Sequence, residues 1–456
     1  MTPHWRETEW ADGIETFAER LRSGATTAHA ATSRALDRIA AHDEQMQAFV
    51  HVGAEMALEQ ASRCDALLAE GRDLGPLMGV PVGIKDLFAV EGMPTRAGTR
   101  LDVSHAIGPE GPFIARLRKA GVVILGKCRT IEFAAGAQNV SHPTPWNPAD
   151  PVVHRSPGGS SNGSATAVAA GYCPLAIGSD TGGSVRAPAA LCGLAGHKFT
   201  SGSVALDGVF PLCASFDSVG TFTVHPQDAR LAYDALMRPS GAARAAVAPL
   251  SRCRIGVPHD DMLVGLEAEV AVAFDDALSR LRSAGVELVA LDWPRAAEIA
   301  VIADIFAHLI PADLTDTLGP DLIDRDADKI DPVAMHRLGP RRSTADQNIR
   351  SLREESARMA REAGIRMQDL AGLVYPTAPL TAPPLESVLT PPAAVAFTGR
   401  VLSLTRVANA YELTACSLPL SRLPGMLPVG IDVASSAGED RWCLGLACAI
   451  EDALVR

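Results

Sequence analysis

Lysine is scarce in this 456-residue chain: of its 41 basic residues just five are lysine, at Lys85, Lys119, Lys127, Lys198 and Lys329. Arginine fills the other cationic positions, and a GC-rich coding bias accounts for it wherever the charge merely meets solvent. A lysine retained against that bias is a candidate for work arginine cannot do, because a buried lysine can give up its proton and an arginine cannot. Basic patches and basic tails are also missing, and the net charge of −12 argues against a nucleic-acid partner. The nine cysteines are odd in number and include no C-x-x-C pair, which argues against a disulfide framework or a zinc site. Cys128 and Cys192 read as packing thiols ahead of nucleophiles. The opening MTPHWRETEWADG lacks the basic start and apolar run of a secretory signal, so a cytoplasmic protein is expected. No internal repeat is evident, and neither G-x-G-x-x-G nor a Walker pattern occurs, which leaves a nucleotide-binding module without its phosphate loop.

What is present is one long uncharged stretch. From Ser156 to Ser179, in SPGGSSNGSATAVAAGYCPLAIGS, no side chain carries charge, and Asp180 and Arg186 close it. A membrane span would need about 20 apolar residues. Here glycines, prolines, serines and Asn162 would leave such a helix broken and polar, so no membrane is expected and the stretch reads as buried backbone lined by small side chains. Residues 1–70 read as a helical wrap, with ETFAERLRSG and SRALDRIAAHDEQMQAFVHV carrying apolar residues at three- and four-residue steps. GVPVGIKD then reads as a short buried strand, and PFIARLRKAGVVILGK as helix, stop at Gly121, strand. The same grammar returns in EVAVAFDDALSRLRSAGVELVALDW, where Val270, Phe274, Leu278 and Leu281 share a helical face ahead of Gly285. Alternating helices and short apolar strands predict an α/β fold, a three-layer α/β/α arrangement around a large mixed sheet. Residues 296–366 are expected to be helical. LAGLVYPTAPLTAPPL and GMLPVGIDVASS are expected to be strands with proline-rich loops, Pro379 to Pro392 forming a surface or pocket-rim loop before the last helix, DRWCLGLACAIEDAL.

Three serines compete for a nucleophile's role: Ser160 and Ser161 in GGSSNG, and Ser184 in DTGGSVR. The run Thr181, Gly182, Gly183, Ser184 can present consecutive backbone N–H groups to an oxyanion, which favours Ser184 beside it. His154, His197 and His225 lack a triad context, so a structural role is expected for each. Lys85, Lys127 and Lys198, in PVGIKD, VVILGK and GLAGHK, remain as bases.

Taken together, PLMGVPVGIKDLF, SPGGSSNGSA, GSDTGGSVRAPAALCGLAGHKFT and PVGIDV resemble the amidase signature hydrolases over most of the chain, least between residues 296 and 366. The resemblance implies a Ser, cis-Ser, Lys triad of Ser184, Ser160 and Lys85. Ser184 would attack the carbonyl while Ser160, following a cis peptide bond, relays its proton to neutral Lys85. Gly159 and Ser161 would support the site, and Asp180 and Arg186 would pin the loop. Lys127 and Lys198 remain the rival bases. Asn162 and His197 depart from the family's usual glycine and leucine, which leaves the substrate open. A pocket is expected around Ile131, Gly136, Gln138 and Tyr375. The implied organisation is a single domain over residues 1–456, with a catalytic core at 75–230 and a divergent pocket region at 296–366. The implied activity is hydrolysis of a small or aryl amide, with a carbamate or ester as alternatives and a glutamine-hydrolysing subunit of a tRNA amidotransferase as a rival. No metal or cofactor is expected, and the protein is expected to be a monomer or homodimer acting on a small molecule.

Overall fold

The computed structural model describes residues 8–237, 249–339, 346–420 and 426–455. Among these residues eleven strands lie in one mixed sheet: β1 (Phe49–Val52), β2 (Pro81–Lys85), β3 (Val123–Cys128), β4 (Leu175–Asp180), β5 (Ala195–Lys198), β6 (Ser218–Thr223), β7 (Arg254–Val257), β8 (Glu287–Ala290), β9 (Gly372–Pro376), β10 (Thr414–Pro419) and β11 (Gly430–Ser435). Their spatial order is β1-β3-β2-β4-β6-β5-β10-β11-β9-β7-β8. β2 runs parallel to both β3 and β4, and β7 parallel to both β8 and β9, whereas the strands between β4 and β9 pair antiparallel.

Both faces of the sheet are covered, as the three-layer expectation requires. In β11, Ile431 and Val433 join the cluster of Cys443, Leu444 and Ala447 on the last helix, Asp440–Val455. Asp432, between them, meets Arg186 of the helix Arg186–Cys192. This period-2 alternation places the two helices on opposite faces. The helix Ala268–Ser283 buries Val270, Phe274, Leu278 and Leu281 as the sequence pattern predicts, and each such apolar side chain contributes about 1.5–3 kcal/mol.

Two local expectations give way. The segment SRALDRIAAHDEQMQAFVHV is helical only as far as Met46: Gln47 adopts a left-handed φ of 54°, ends the helix Ala28–Met46 and turns the chain into edge strand β1, antiparallel to β3. The proline-rich stretch is not all loop, since Pro391 and Pro392 open the helix Pro391–Val401, where a missing N–H costs nothing. Between residues 296 and 366 the expected helices form, as Ala296–Leu318, Pro320–Arg325, Pro332–Leu338 and Asp346–Arg366, while 340–345 lie outside the described residues.

Candidate active site

The chain leaves β2 to build β3 on one side and β4 on the other, so the C-terminal ends of β2 and β4 flank a topological switch point, where open α/β sheets bind ligands. Lys85 is the last residue of β2, and Ser179 and Asp180 end β4. Their side chains converge with the Gly158–Ser161 turn. Lys85 Nζ donates to Ser160 Oγ at 2.7 Å and to Ser179 Oγ at 2.9 Å, with all three side chains buried. Burial pushes the Lys85 ammonium down to about 7, against the opposing pull of Asp180 and Asp217.

The Gly159–Ser160 peptide bond is cis. Ser160's carbonyl accepts the Ile131 N–H at 3.0 Å and the Thr130 hydroxyl at 3.1 Å. The next residue joins this turn to the other serine: Ser161 N–H donates to the Ser184 carbonyl at 3.2 Å, and Ser161 Oγ to the Ser179 carbonyl at 3.2 Å. Small residues are needed throughout. A methyl group at Gly178 would lie 2.8 Å from both Ser161 Oγ and Phe222, and one at Gly183, whose φ is +119°, would lie 1.9 Å from Thr405 Oγ1.

Asp180 and Arg186 shape the loop carrying Ser184. Arg186 donates to Asp180 at 3.0 and 3.1 Å, to Asp432 at 2.9 Å and to Asn409 at 2.6 Å. Asp180 also accepts the N–H groups of Gly183 at 2.8 Å and Val185 at 3.1 Å. The Gly183 N–H is thereby committed to Asp180, so an oxyanion hole in this run would rest on Thr181, Gly182 and Ser184. Ser184 is itself buried, two residues ahead of the helix Arg186–Cys192.

The family model for amidases matches residues 30–444. This chain belongs to the amidase family. It is 31% identical to 2-amino-5-chloromuconic acid deaminase of Comamonas testosteroni, over 95% of this chain and 94% of the other. It is 39% identical to a subunit of the glutamyl-tRNA(Gln) amidotransferase of Thermobifida fusca (strain YX), over 60% of this chain and 58% of the other. A crystal structure of an amidase superposes with a TM-score of 0.84 at 30% identity, covering 95% of this chain and 98% of the other.

Other candidates from the sequence fall elsewhere. Lys127 Nζ pairs with Asp86 at 3.0 Å, and Lys198 Nζ donates to the Phe199 and Leu413 carbonyls at 3.0 and 2.9 Å. His197 lies buried against Thr414, Phe199 and Tyr233, and burial pulls it down to about 4. His154 stacks on Trp146, and His225 meets Glu451 at 3.2 Å. Asn162 accepts from the N–H of Gly163 at 2.8 Å. Cys128 and Cys192 are buried, their thiols pushed up by burial.

The pocket residues divide. Gln138 is spent inside the protein, donating to Asn139 and Thr144 and accepting from Ser156, and Tyr375 is fully buried in β9, opposite Asp432 of β11. Ile131 packs under the turn, where a methyl group at Gly159 would lie 2.8 Å from it. Gly136 faces Thr398 and Val333, which line a cavity of about 200 Å³ together with Phe306, Arg337 and Arg406. That cavity adjoins the loop carrying Ser184, since a methyl group at Gly182 would lie 3.2 Å from Phe306 and 3.6 Å from Arg406.

Two contributors have no signal in the sequence. Ser179 is one of many serines there, and nothing but the parallel alignment of β2 and β4 brings it to Lys85. Asp217, pushed up to about 6 by burial, accepts from Thr181 Oγ1 at 2.5 Å and from the N–H groups of Leu212 and Cys213 at 2.8 and 3.0 Å. It holds the first residue of the loop from the far side.

Proposed function

We propose that the protein hydrolyses the carbon–nitrogen bond of a small amide through an acyl intermediate on Ser184. The observation that carries this reading is the 2.7 Å contact between Ser160 and a buried lysine held near pKa 7. At neutral pH about half of such a lysine is unprotonated, poised as a base. Ser184 attacks the carbonyl carbon, and its proton passes to Ser160 as Ser160's proton passes to Lys85. The oxyanion is met by the N–H groups of Thr181, Gly182 and Ser184. Collapse of the tetrahedral species breaks the carbon–nitrogen bond, and the nitrogen leaves with the proton returned through Ser160. Water then attacks the acyl carbon, and the relay run again restores the Ser184 hydroxyl.

The substrate is small: the cavity of about 200 Å³ beside Gly182 falls below the 300–1,000 Å³ usual for drug-sized ligands. Its walls come mainly from the 296–366 region, which we assign to substrate choice. Carbamates and esters present the same carbonyl to the same relay and remain alternative substrates. Resemblance to the amidotransferase component supports glutamine hydrolysis less well. It spans 60% of this chain, whereas the likeness to the deaminase, a protein named for removing an amino group from an acid, spans 95%.

The test is covalent. A serine-directed phosphonate or sulfonyl fluoride should modify Ser184, as read by peptide mapping. An adduct on Cys128 or Ser161 with Ser184 untouched would overturn the assignment.

A further inference from the structure

The cavity beside Gly182 carries positive charge that its own walls do not answer. Arg337, from the helix Pro332–Leu338, and Arg406, which opens the helix Arg406–Ala410, both line it and are half-buried. Among the described residues neither guanidinium has a carboxylate partner. Asp331, which caps the helix bearing Arg337, is spent on Val140, Ser141 and Val333. Arg186 shows the contrast, paired at 3.0 Å with Asp180 and at 2.9 Å with Asp432.

Arg406 is also held in place. Its guanidinium lies 5.7 Å above the Phe306 ring, which stacks on Phe216 at 4.6 Å. The preceding residue, Thr405, donates its hydroxyl to the Gly182 carbonyl at 2.8 Å, tying Arg406 to the loop that carries Ser184. Burial, and for Arg406 the neighbouring Arg337, lowers both guanidinium groups, Arg337 to about 10 and Arg406 to about 9. Two half-desolvated cations side by side are costly until an anion joins them. The guanidinium fork matches a carboxylate in bidentate geometry. The remaining titratable group at the cavity, His336, supplies no negative charge.

We propose that Arg337 and Arg406 bind a carboxylate carried by the substrate, so that the enzyme selects small amides with an acidic group close to the scissile carbonyl. This rests on the reading of Ser184 as the nucleophile and names the substrate class for that site.

Titration calorimetry of the full chain with linear dicarboxylates, malonate through adipate, reads the anion site without turnover. The wild type should bind at least one of them, and R337Q and R406Q should each weaken binding about 10- to 100-fold, the range for losing hydrogen bonds to a charged group. Far-UV circular dichroism and a cooperative melt establish that each variant is folded. A second measurement needs no variant: wild-type kcat/KM for succinamate should exceed that for the neutral succinamide by about 10-fold or more. Absence of dicarboxylate binding, unchanged binding in the folded variants, or equal use of the two amides overturns the anion site even where Ser184 is reactive. Binding that depends on both arginines in a protein whose Ser184 is inert would uphold the anion site and remove the hydrolase reading instead.

Discussion

Lys85 gives up solvent to hydrogen-bond two hydroxyls, Ser160 and Ser179, and among the described residues no carboxylate touches it directly. Asp180 and Asp217 act on its charge from farther off, so burial prevails and the amine is held near pKa 7. Lys127 is lowered too, yet its direct pair with Asp86 opposes the loss of charge. The hydroxyl of Ser179 accepts from the ammonium and therefore favours the charged form. Ser179→Ala should move the rise of kcat/KM with pH to lower pH. It should also reduce the plateau about 10-fold, the worth of one hydrogen bond that positions the base. A pH series on the two proteins measures both, and an inflection moved to higher pH would contradict this role.

The helix Asn162–Ala169 turns the smallness of its side chains into position. All eight of its residues are buried, and a methyl group at Gly163 would lie 2.3 Å from the Ala48 carbonyl oxygen and 2.4 Å from the Arg129 nitrogen. Those are backbone atoms and cannot swing away, so Gly163→Ala should cost at least about 1–3 kcal/mol. Gly364, on the helix Asp346–Arg366 with open space around it, is the counter-case, and Gly364→Ala should gain about 0.5–1 kcal/mol. Urea unfolding of both variants checks the pair, and equal shifts would refute the contact argument. The elements legible in the sequence were helices with a period and short apolar runs bounded by glycine or proline, such as β2, β9 and β11. The helix Ala268–Ser283 shows its apolar face, and PFIARLRKAGVVILGK shows its glycine stop at Gly121, whose φ is +77°. β5 (AGHK) and β10 (TACSLP) are buried on both faces as well but mix polar residues into the run, so they show neither alternation nor a continuous apolar stretch and gave no sign. Lys85, Ser160 and Ser184 were singled out through the family resemblance of their motifs, and of these Lys85 and Ser160, 75 residues apart, meet in the structure. Ser179, Asp217 and the arginine-lined cavity were not singled out, because they come from elements brought together only by the sheet and its crossovers.

Across the whole molecule, one buried cluster fastens distant parts of the sheet. Arg186 joins Asp180 at the end of β4 to Asp432 in β11, four places away in the strand order, and to Asn409 from the helix Arg406–Ala410. Burial would raise Asp180, but Arg186, Lys198 and Asn409 overcome it and hold the carboxyl well below the ordinary carboxylate range. A carboxyl lowered in the fold contributes stability that is present above its unfolded pKa and lost as pH falls below it. Asp432→Asn removes one partner of a buried pair and should cost about 3–5 kcal/mol, read by chemical unfolding near neutral pH; a cost under about 1 kcal/mol would mean that the cluster does not hold the sheet together. The same architecture brings β2 and β4 side by side, an arrangement that, on the proposed mechanism, makes Lys85 a neutral base. The pH dependence of kcat/KM in the wild type and in Lys85→Arg tests this most directly. With Lys85 as the base, the wild-type rate should rise through about pH 7 and then level, as the amine loses its proton. The folded arginine variant should be at least about 10²-fold slower at every pH, because arginine keeps the charge and cannot take the proton. Substantial activity in that variant, or a wild-type rate indifferent to pH between about 6 and 9, would contradict this role for Lys85.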